Sequence, residues 1–156
     1  MITRTKANDL LEQLFWSESV VSGKTVKTYY YIGLSTTTPK EDGSNFTEPV
    51  IPDGAVDDDN NAITVNEYQR VSLENVIGNA SNAIIKNGAI IFFNEAEHYG
   101  WGTITHFGIF TAKTGGMPIF WGEVPATNIP KNYIPIFRAG KLQVGLDNDP
   151  ASPVTP

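Results

Sequence analysis

Few side chains in this sequence could carry out catalysis. The chain has two histidines, His98 and His106, and no cysteine. A serine-histidine-acid triad needs one imidazole beside an activated serine, and no G-x-S-x-G turn is present to hold such a serine. His106 stands in a strand pattern between Thr105 and Phe107, so we interpret it as a structural residue. Without a thiol or a triad, the sequence predicts that the protein is not an enzyme.

A run of acidic and amide side chains offers oxygen ligands to a hard cation. The run reads DDDNN, and Asp57, Asp59 and Asn61 are its candidate calcium ligands. An EF-hand loop that begins at Asp57 would need glycine at its sixth position and glutamate at its twelfth, where Ala62 and Tyr68 stand instead. The sequence therefore favours a hydrated acidic loop, and irregular calcium binding is the alternative.

The other motifs with a chemical meaning are incomplete. Glu95-Ala96-Glu97-His98 offers two carboxylates and one imidazole but no fourth metal ligand, so we interpret it as a solvated loop. Gly100-Trp101-Gly102 begins a dinucleotide-binding pattern, yet it precedes a strand pattern instead of a helix. We therefore predict no cofactor. Carboxylates placed for glycoside hydrolysis stay an alternative, because their separation is a three-dimensional quantity.

Three aromatic residues could form a platform for a sugar ring. Tyr99, Trp101 and Trp121 have rings large enough to stack on a host-surface glycan. Aromatic residues in strand patterns more often fill a core, and we favour that role here. The recognition platform is the alternative.

Charge and composition exclude several classes of partner. The 156 residues are 40% hydrophobic, which suits one domain with a real core. A net charge of −6 without a basic cluster argues against a nucleic-acid partner. The acidic stretch at 41–67 contains no lysine or arginine, and we interpret it as a solvated loop. No apolar run approaches the roughly 20 residues of a membrane span, and residues 1–8 lack a signal-peptide core, so we expect a soluble chain made in a cytoplasm.

An amphipathic pattern predicts a short N-terminal helix. Thr5 is its candidate N-cap, and its apolar stripe, with a period of 3.6 residues, consists of Ala7, Leu10, Leu11, Leu14 and Phe15. A helix of about three turns is marginal by itself, so this stripe must dock on the chain's own sheet or on a neighbouring subunit. In the second case the expected assembly contacts are Leu10, Leu14 and Phe15.

Short strand patterns, separated by glycine and proline turns, follow the helix. They predict an antiparallel β-sandwich or jelly-roll-like barrel. Asn87-Gly88 is a predicted hairpin turn. We expect a helical arm at 1–24, a β domain at 25–146 and a Pro-rich tail at 147–156, with a long acidic loop at 40–66 that is a contact arm or a mobile flap. The predicted strands span residues 26–34, 68–73, 83–86, 89–93, 103–111, 119–124 and 141–146.

The clearest of these patterns is an aromatic hairpin. Trp101 to Phe110 reads WGTITHFGIF, and Ile119 to Val124 reads IFWGEV. The pair Gly115-Gly116 lies between them, and glycines adopt the positive φ that tight turns require. The sequence therefore predicts two adjacent antiparallel strands whose aromatic residues serve the fold.

Several landmarks occur together in a characteristic order. They are YIGLSTTTP at 31–39, YQR at 68–70, NGA at 87–89, IIFF at 90–93, WGTITHFGIF at 101–110, GG at 115–116, FWG at 120–122 and FRAGKL at 137–142. In this order the chain resembles the small tail-fibre-like or baseplate-associated structural proteins of tailed bacteriophages and prophages. It departs from the pattern in its longer acidic stretch and at Thr111, where an aspartate often follows GIF.

The resemblance implies a non-enzymatic virion structural protein of the tail, the baseplate or a tail fibre. Such a protein would assemble as a homo-oligomer and contact copies of itself and neighbouring virion proteins. A capsid decoration or head-fibre protein is an alternative of the same class. A carbohydrate-binding module for a host receptor is an alternative of a different class.

Overall fold

The computed structural model describes residues 3–15, 18–27 and 29–146. Within them the chain forms one α-helix and ten β-strands, and every strand pairing is antiparallel. The predicted mainly β class with a short N-terminal helix is confirmed. No sheet in these ranges closes into a barrel. The elements are α1 (Arg4–Phe15), β1 (Glu18–Val21), β2 (Lys24–Lys27), β3 (Tyr31–Ser35), β4 (Val71–Ser72), β5 (Ile84–Lys86), β6 (Ile91–Phe92), β7 (Gly102–Phe110), β8 (Phe120–Ile129), β9 (Ile136–Phe137) and β10 (Gln143–Gly145).

The residues group into two compact units. The helical unit comprises the described parts of segments 1–28, 75–90 and 138–156, and the sheet unit comprises 29–74 and 91–137. The division expected at residues 24 and 146 stays a prediction, and the expected tail from residue 147 lies outside the described residues.

In the helical unit, α1 packs against β5 of its own chain. Asn8 Oδ1 accepts a hydrogen bond from the Ala83 N–H at 2.7 Å, and Glu12 Oε1 accepts one from the Ala80 N–H at 3.0 Å. The apolar stripe therefore docks within the chain, the first of the two predicted modes. Its buried members are Ala7, Leu11 and Phe15.

The helix is capped by Thr3, so the prediction of Thr5 as N-cap is wrong. Thr3 Oγ1 accepts a hydrogen bond from the Lys6 N–H at 3.2 Å, and its carbonyl accepts one from the Ala7 N–H at 2.9 Å. The first bond satisfies one of the N–H groups that a helix start leaves without partners, and the second is the first hydrogen bond of the helix itself. Thr5 is an exposed residue within the helix. Both threonines precede the apolar stripe, and the local pattern did not distinguish them.

Asn87 is a buried polar centre of the helical unit, and the predicted Asn87-Gly88 hairpin turn is wrong. Asn87 is 1% exposed, and neither residue has the positive φ of that turn. Its Nδ2 donates to the carbonyls of Ala89 and Arg138 at 2.8 and 3.0 Å, while its Oδ1 accepts from the Leu142 N–H at 3.0 Å. The amide is used to satisfy three backbone groups of separate segments, a role that the Asn-Gly dipeptide does not reveal.

The sheet unit is organised by a four-stranded sheet in the order β4-β3-β7-β8. β7 and β8 form the predicted hairpin, from the pair Gly102 and Ile129 to the pair Ile109 and Phe120. Gly115 and Gly116, in the connecting loop, both have positive φ. The local strand alternation and the glycine turn were therefore sufficient to identify this pairing.

The edge strand β8 carries an irregularity. Between the pairs Ile104–Thr127 and His106–Glu123 the register shifts, so that residues 124–126 lie opposite Thr105 alone. Pro125 stands within this bulge and has no N–H to offer to another strand. A bulge with a proline protects a sheet edge from pairing with a further strand.

Both faces of the four-stranded sheet are covered. Gly33 and Gly108 are register partners, and a Cβ added at Gly108 would lie 2.7 Å from the Phe46 ring. On the opposite face, Phe107 contacts Phe137 of β9, with ring centroids 6.0 Å apart. Because side chains alternate along a strand, residues 107 and 108 of β7 necessarily point to opposite faces.

The acidic stretch at 40–66, which we call the excursion, begins as a packed layer. Phe46 meets Phe110 edge to face with ring centroids 5.1 Å apart, and the Thr47 carbonyl accepts a hydrogen bond from the Thr36 N–H at 3.0 Å. Farther along, Val50 and Val65 are each 70% exposed. Its first part is thus fixed on the sheet, while exposed apolar residues follow.

Several strand limits differ from those predicted. The predicted strand at 26–34 is two strands, β2 and β3, and β8 continues to Ile129 instead of ending at Val124. β1 and β9 were not predicted. β1 joins β2 through Ser22 and Gly23, which both have positive φ as a primed hairpin turn requires. β9 directly follows Pro135, which concealed its strand pattern.

Candidate functional site

Arg70 is the centre of a buried polar cluster in the sheet unit. Its Nε and Nη2 donate to Glu48 Oε1 and Oε2 at 2.8 and 2.9 Å. Its Nη1 donates to the carbonyls of Ala112 and Gly115, in the β7–β8 loop, at 2.9 and 2.8 Å. The guanidinium carbon lies 3.4 Å from the centre of the Phe110 ring, a cation–π contact. Arg70 is 6% exposed, so its guanidinium is shielded from water, while the Glu48 side chain of this bidentate pair is 26% exposed.

Tyr68 completes this group, which we call the Arg70 cluster (Glu48, Tyr68, Arg70 and Phe110). Its hydroxyl donates to Glu48 Oε1 at 2.7 Å and accepts from the Leu34 N–H at 2.8 Å. Burial, followed by the charge of Glu48, raises the pKa of the Tyr68 phenol well above its ordinary value, so the hydroxyl keeps its proton. The cluster joins the excursion, β3 and the hairpin loop through groups that satisfy one another.

A second ionisable group lies beyond the excursion. Glu67 Oε1 lies 2.6 Å from His98 Nδ1 and accepts a hydrogen bond from the His98 backbone N–H at 2.9 Å. Glu97 adds a carboxylate, and one ligand atom from each of the three residues lies within 4.8 Å of the others. The hydrogen bond with Glu67 raises the pKa of the His98 imidazole. We call Glu67, Glu97 and His98 the Glu67 cluster.

Tyr99 holds together the two segments that form the Glu67 cluster. Its hydroxyl donates to Asn66 Oδ1 at 2.8 Å and accepts from the Glu67 N–H at 2.9 Å. Asn94 Nδ2 donates to the Glu67 carbonyl at 3.1 Å. Since Tyr99 is only 7% exposed, the backbone beneath Glu67 and His98 is attached to the core.

The three aromatic residues of the predicted sugar platform do not form a common surface. Tyr99 and Trp101 are 7% and 3% exposed, and Trp101 meets Tyr68 edge to face at 5.4 Å. Trp121, 36% exposed, lies on β8 opposite Gly108. Two of the rings are therefore part of the core, which agrees with the role favoured from the sequence and leaves one ring to meet a ligand.

His106 is 4% exposed, and its Nδ1 lies 2.8 Å from Thr105 Oγ1. Its ring meets Trp121 edge to face with centroids 5.9 Å apart. These contacts are those of a structural histidine, as interpreted from its position in a strand pattern.

The candidate calcium residues organise a turn. Asp57 Oδ1 accepts hydrogen bonds from the backbone N–H groups of Asp59 and Asn61 at 3.0 and 2.8 Å. These bonds, with that from Asn61 Nδ2, lower the pKa of the Asp57 carboxyl. The adjacent Asp58 pairs with Lys131 at 2.8 Å. Calcium binding by Asp57, Asp59 and Asn61 stays an alternative from the sequence.

The predicted assembly residues of α1 differ in exposure. Phe15 is buried, Leu14 is half-buried and Leu10 is 38% exposed. Leu10 is therefore the member of this set with the most surface to offer. Its contact with a neighbouring subunit stays a prediction.

A patch of exposed apolar side chains lies on β6 and β9. Phe92 and Ile136 are register partners, so they share a face, and they are 60% and 42% exposed. Ile134, two residues before Ile136, is 48% exposed. Ile91 points the other way and is 1% exposed. We call Phe92, Ile134 and Ile136 the outer face.

The sequence patterns did not identify the outer face or the role of Glu67. The run at 89–93 is apolar at every position, which hides the alternation between buried and exposed residues. Glu67 and His98 are 31 residues apart, and nothing local connects them. The alternation of Ile134, Pro135 and Ile136 was the available signal for β9.

Together these features define a mainly β structural domain whose buried polar groups hold its loops on a sheet. Residues 1–145 match the family model described as podophage GP4 fiber I protein gp80, and the chain belongs to this family. It is therefore a structural protein of a bacteriophage virion, of the fibre class, which confirms the broader part of the resemblance. Comparison with curated proteins finds no match. Across the described ranges, no helix is long and apolar enough to cross a membrane.

Proposed function

We propose that the protein is a subunit of the podophage tail fibre, or of the baseplate region that holds it, and that it acts by binding other copies of itself. The match to a fiber I protein over residues 1–145 supports a place in a fibre. The landmarks at 31–39, 68–70 and 101–110, which resemble tail-associated proteins, favour the tail over the capsid.

The outer face is the observation that carries self-association. Phe92, Ile134 and Ile136 are 60%, 48% and 42% exposed, and neither β6 nor β9 contains a charged residue. Copies of a chain with net charge −6 repel one another, so an uncharged apolar surface is where they meet at least electrostatic cost. A symmetric oligomer requires a surface that is complementary to a copy of itself or to a second patch on it. We therefore assign a second copy of this chain as the occupant of the outer face.

The two edges of the four-stranded sheet favour contact between copies through side chains rather than the addition of a strand from a neighbouring copy. β8 carries the bulge at 124–126 with Pro125, and β4 at the other edge is two residues long. Both features discourage a neighbouring chain from extending the sheet. The outer face offers a contact that needs no free backbone groups.

A cryo-EM map of the phage particle with this chain located tests the proposal. We expect copies in the tail, arranged about the tail or fibre axis, with the outer face of each against a neighbouring copy. Copies in the capsid lattice would instead establish the decoration or head-fibre alternative. A tail location with the outer face exposed to solvent would contradict self-association through that face.

A further inference from the structure

The Glu67 cluster has the donor set of a metal site. We propose that Glu67, Glu97 and His98 together bind a divalent transition-metal ion of the Zn²⁺ class. Two carboxylate oxygens and one imidazole nitrogen, all within 4.8 Å of one another, can converge on one ion. Ligand atoms bound tetrahedrally to one Zn²⁺ at about 2.0 to 2.2 Å lie about 3.3 to 3.6 Å apart, so the side chains must move by roughly an ångström to coordinate the ion.

An independent observation is the state of the second Glu67 oxygen. Oε1 accepts the hydrogen bond from the His98 N–H, whereas Oε2 is fully buried and has no hydrogen-bond partner among the described residues. A buried carboxylate oxygen without a partner carries a free-energy cost that a cation would relieve. The Glu67 side chain is only 12% exposed, so bulk water does little to solvate that charge.

The backbone around the cluster is already in place for binding. The Tyr99 hydroxyl joins Asn66 Oδ1 and the Glu67 N–H at 2.8 and 2.9 Å, and Asn94 binds the Glu67 carbonyl. Glu97 and His98 are adjacent in the chain, directly before the buried Tyr99. Ion binding would therefore cost less conformational entropy than it would if the ligands lay on a flexible loop.

The identity of the donors selects the class of ion. Imidazole favours zinc and its transition-metal neighbours, whereas Ca²⁺ and Mg²⁺ take oxygen ligands almost exclusively. His98 is 24% exposed at its side chain, so water can complete the coordination. Lys131 carries a nearby positive charge that would repel a cation. It is paired with Asp58 at 2.8 Å, and this pairing weakens the repulsion. This site is independent of self-association through the outer face.

The test is titration of the purified full-length protein with Zn²⁺, followed by calorimetry and by NMR of the histidine rings. The chain has two histidines, so His106 serves as an internal reference. We expect one ion per chain, a change in the ring signals of His98 and none in those of His106. Ca²⁺ at the same concentration should leave both rings unchanged.

Four substitutions distinguish a specific metal site from diffuse attraction of a cation to an acidic protein. Glu67→Gln and His98→Gln should each weaken Zn²⁺ binding by at least about tenfold. Glu95→Gln removes the same charge from an exposed position in the same loop and should leave the affinity unchanged. Circular dichroism of each variant checks that it is folded, and Glu97→Gln, at an exposed ligand, provides a second test where Glu67→Gln disturbs the fold.

Three outcomes would overturn the proposal. They are the absence of saturable Zn²⁺ binding up to millimolar concentration, equal weakening by Glu95→Gln and Glu67→Gln, and ring changes at His106 instead of His98. Zn²⁺ binding, the comparison of the variants and the histidine ring signals are all measured on the single chain. They therefore test the metal site even if self-association through the outer face fails.

Discussion

The Arg70 cluster and the Glu67 cluster both join a carboxylate to a basic side chain from a distant part of the sequence, but they differ in how completely their polar atoms are used. Both Glu48 oxygens are bonded to Arg70, whose remaining hydrogen bonds go to two carbonyls of the hairpin loop. Glu67 uses Oε1 alone, and Oε2 has no partner in the part of the chain that the structure describes.

This difference separates a structural connection from a site with capacity for a ligand. The Arg70 side chain is 4% exposed and its guanidinium is covered by the Phe110 ring, so a new ligand could only displace an existing partner. His98 is 24% exposed and stands beside a second carboxylate, Glu97. The first cluster should therefore dominate folding stability, and the second should respond to added ions.

Removal of Arg70 should give the largest loss of stability. Arg70→Met retains much of the apolar volume but leaves two loop carbonyls and Glu48 Oε2 without the donors that Arg70 supplies, while Glu48 Oε1 keeps the hydrogen bond from Tyr68. Breaking a buried ion pair from one side typically costs about 3 to 5 kcal/mol. Because the Glu48 side chain is 26% exposed, we expect a loss of about 3 kcal/mol, the lower end of that range, in urea-induced unfolding. The control is Arg138→Met, because the Arg138 side chain is exposed and its carbonyl, which binds Asn87, is retained. Equal losses in the two variants would contradict the role assigned to the Arg70 cluster.

A smaller loss should follow when the space beside the Arg70 cluster is filled. A Cβ added at Gly33 would lie 2.9 Å from both Glu48 Oε1 and the Tyr68 hydroxyl, so the cluster must shift to admit it. We expect Gly33→Ala to cost about 1 to 3 kcal/mol, the usual range for overpacking. Gly88→Ala is the matched control, because its added Cβ would be no nearer than 3.8 Å to another atom. A Gly33→Ala variant as stable as the control would mean that the cluster tolerates displacement.

The sequence predicted the parts of the fold whose partners are close along the chain. The β7–β8 hairpin follows from alternating aromatic segments on either side of Gly115-Gly116, since a short loop leaves few other ways to pair the strands. The helix follows from its apolar stripe, and its docking surface, β5, came only from the structure. The burial of Tyr99 and Trp101, in contrast to Trp121, depends on which way each position faces in the sheet unit.

Neither polar cluster could be predicted from the sequence, because the members of each are distant in sequence and come from segments without periodicity. Arg70 and Glu48 are 22 residues apart, and His98 and Glu67 are 31 residues apart. Tyr68-Gln69-Arg70 is a landmark of the family resemblance, and the structure gives its physical role. Tyr68 and Arg70 both bind Glu48 and fix the excursion on the sheet.

The smallest effect should come from Glu67→Gln in the absence of metal. The amide oxygen can still accept the hydrogen bond from the His98 N–H, and the charge that is lost was only partly paired. We expect a loss below about 1 kcal/mol in the same urea experiment, because His98 is 24% exposed and the substitution also removes the cost of burying a charged oxygen that has no partner. Zn²⁺ should then separate the variants, because an ion that binds only the folded state stabilises it by about 2.7 kcal/mol at 100 times its Kd. Wild type and Glu95→Gln should gain this stability and Glu67→Gln should not. A loss for metal-free Glu67→Gln as large as that of Arg70→Met would instead place both clusters in the same structural role, and the contrast between them would fail.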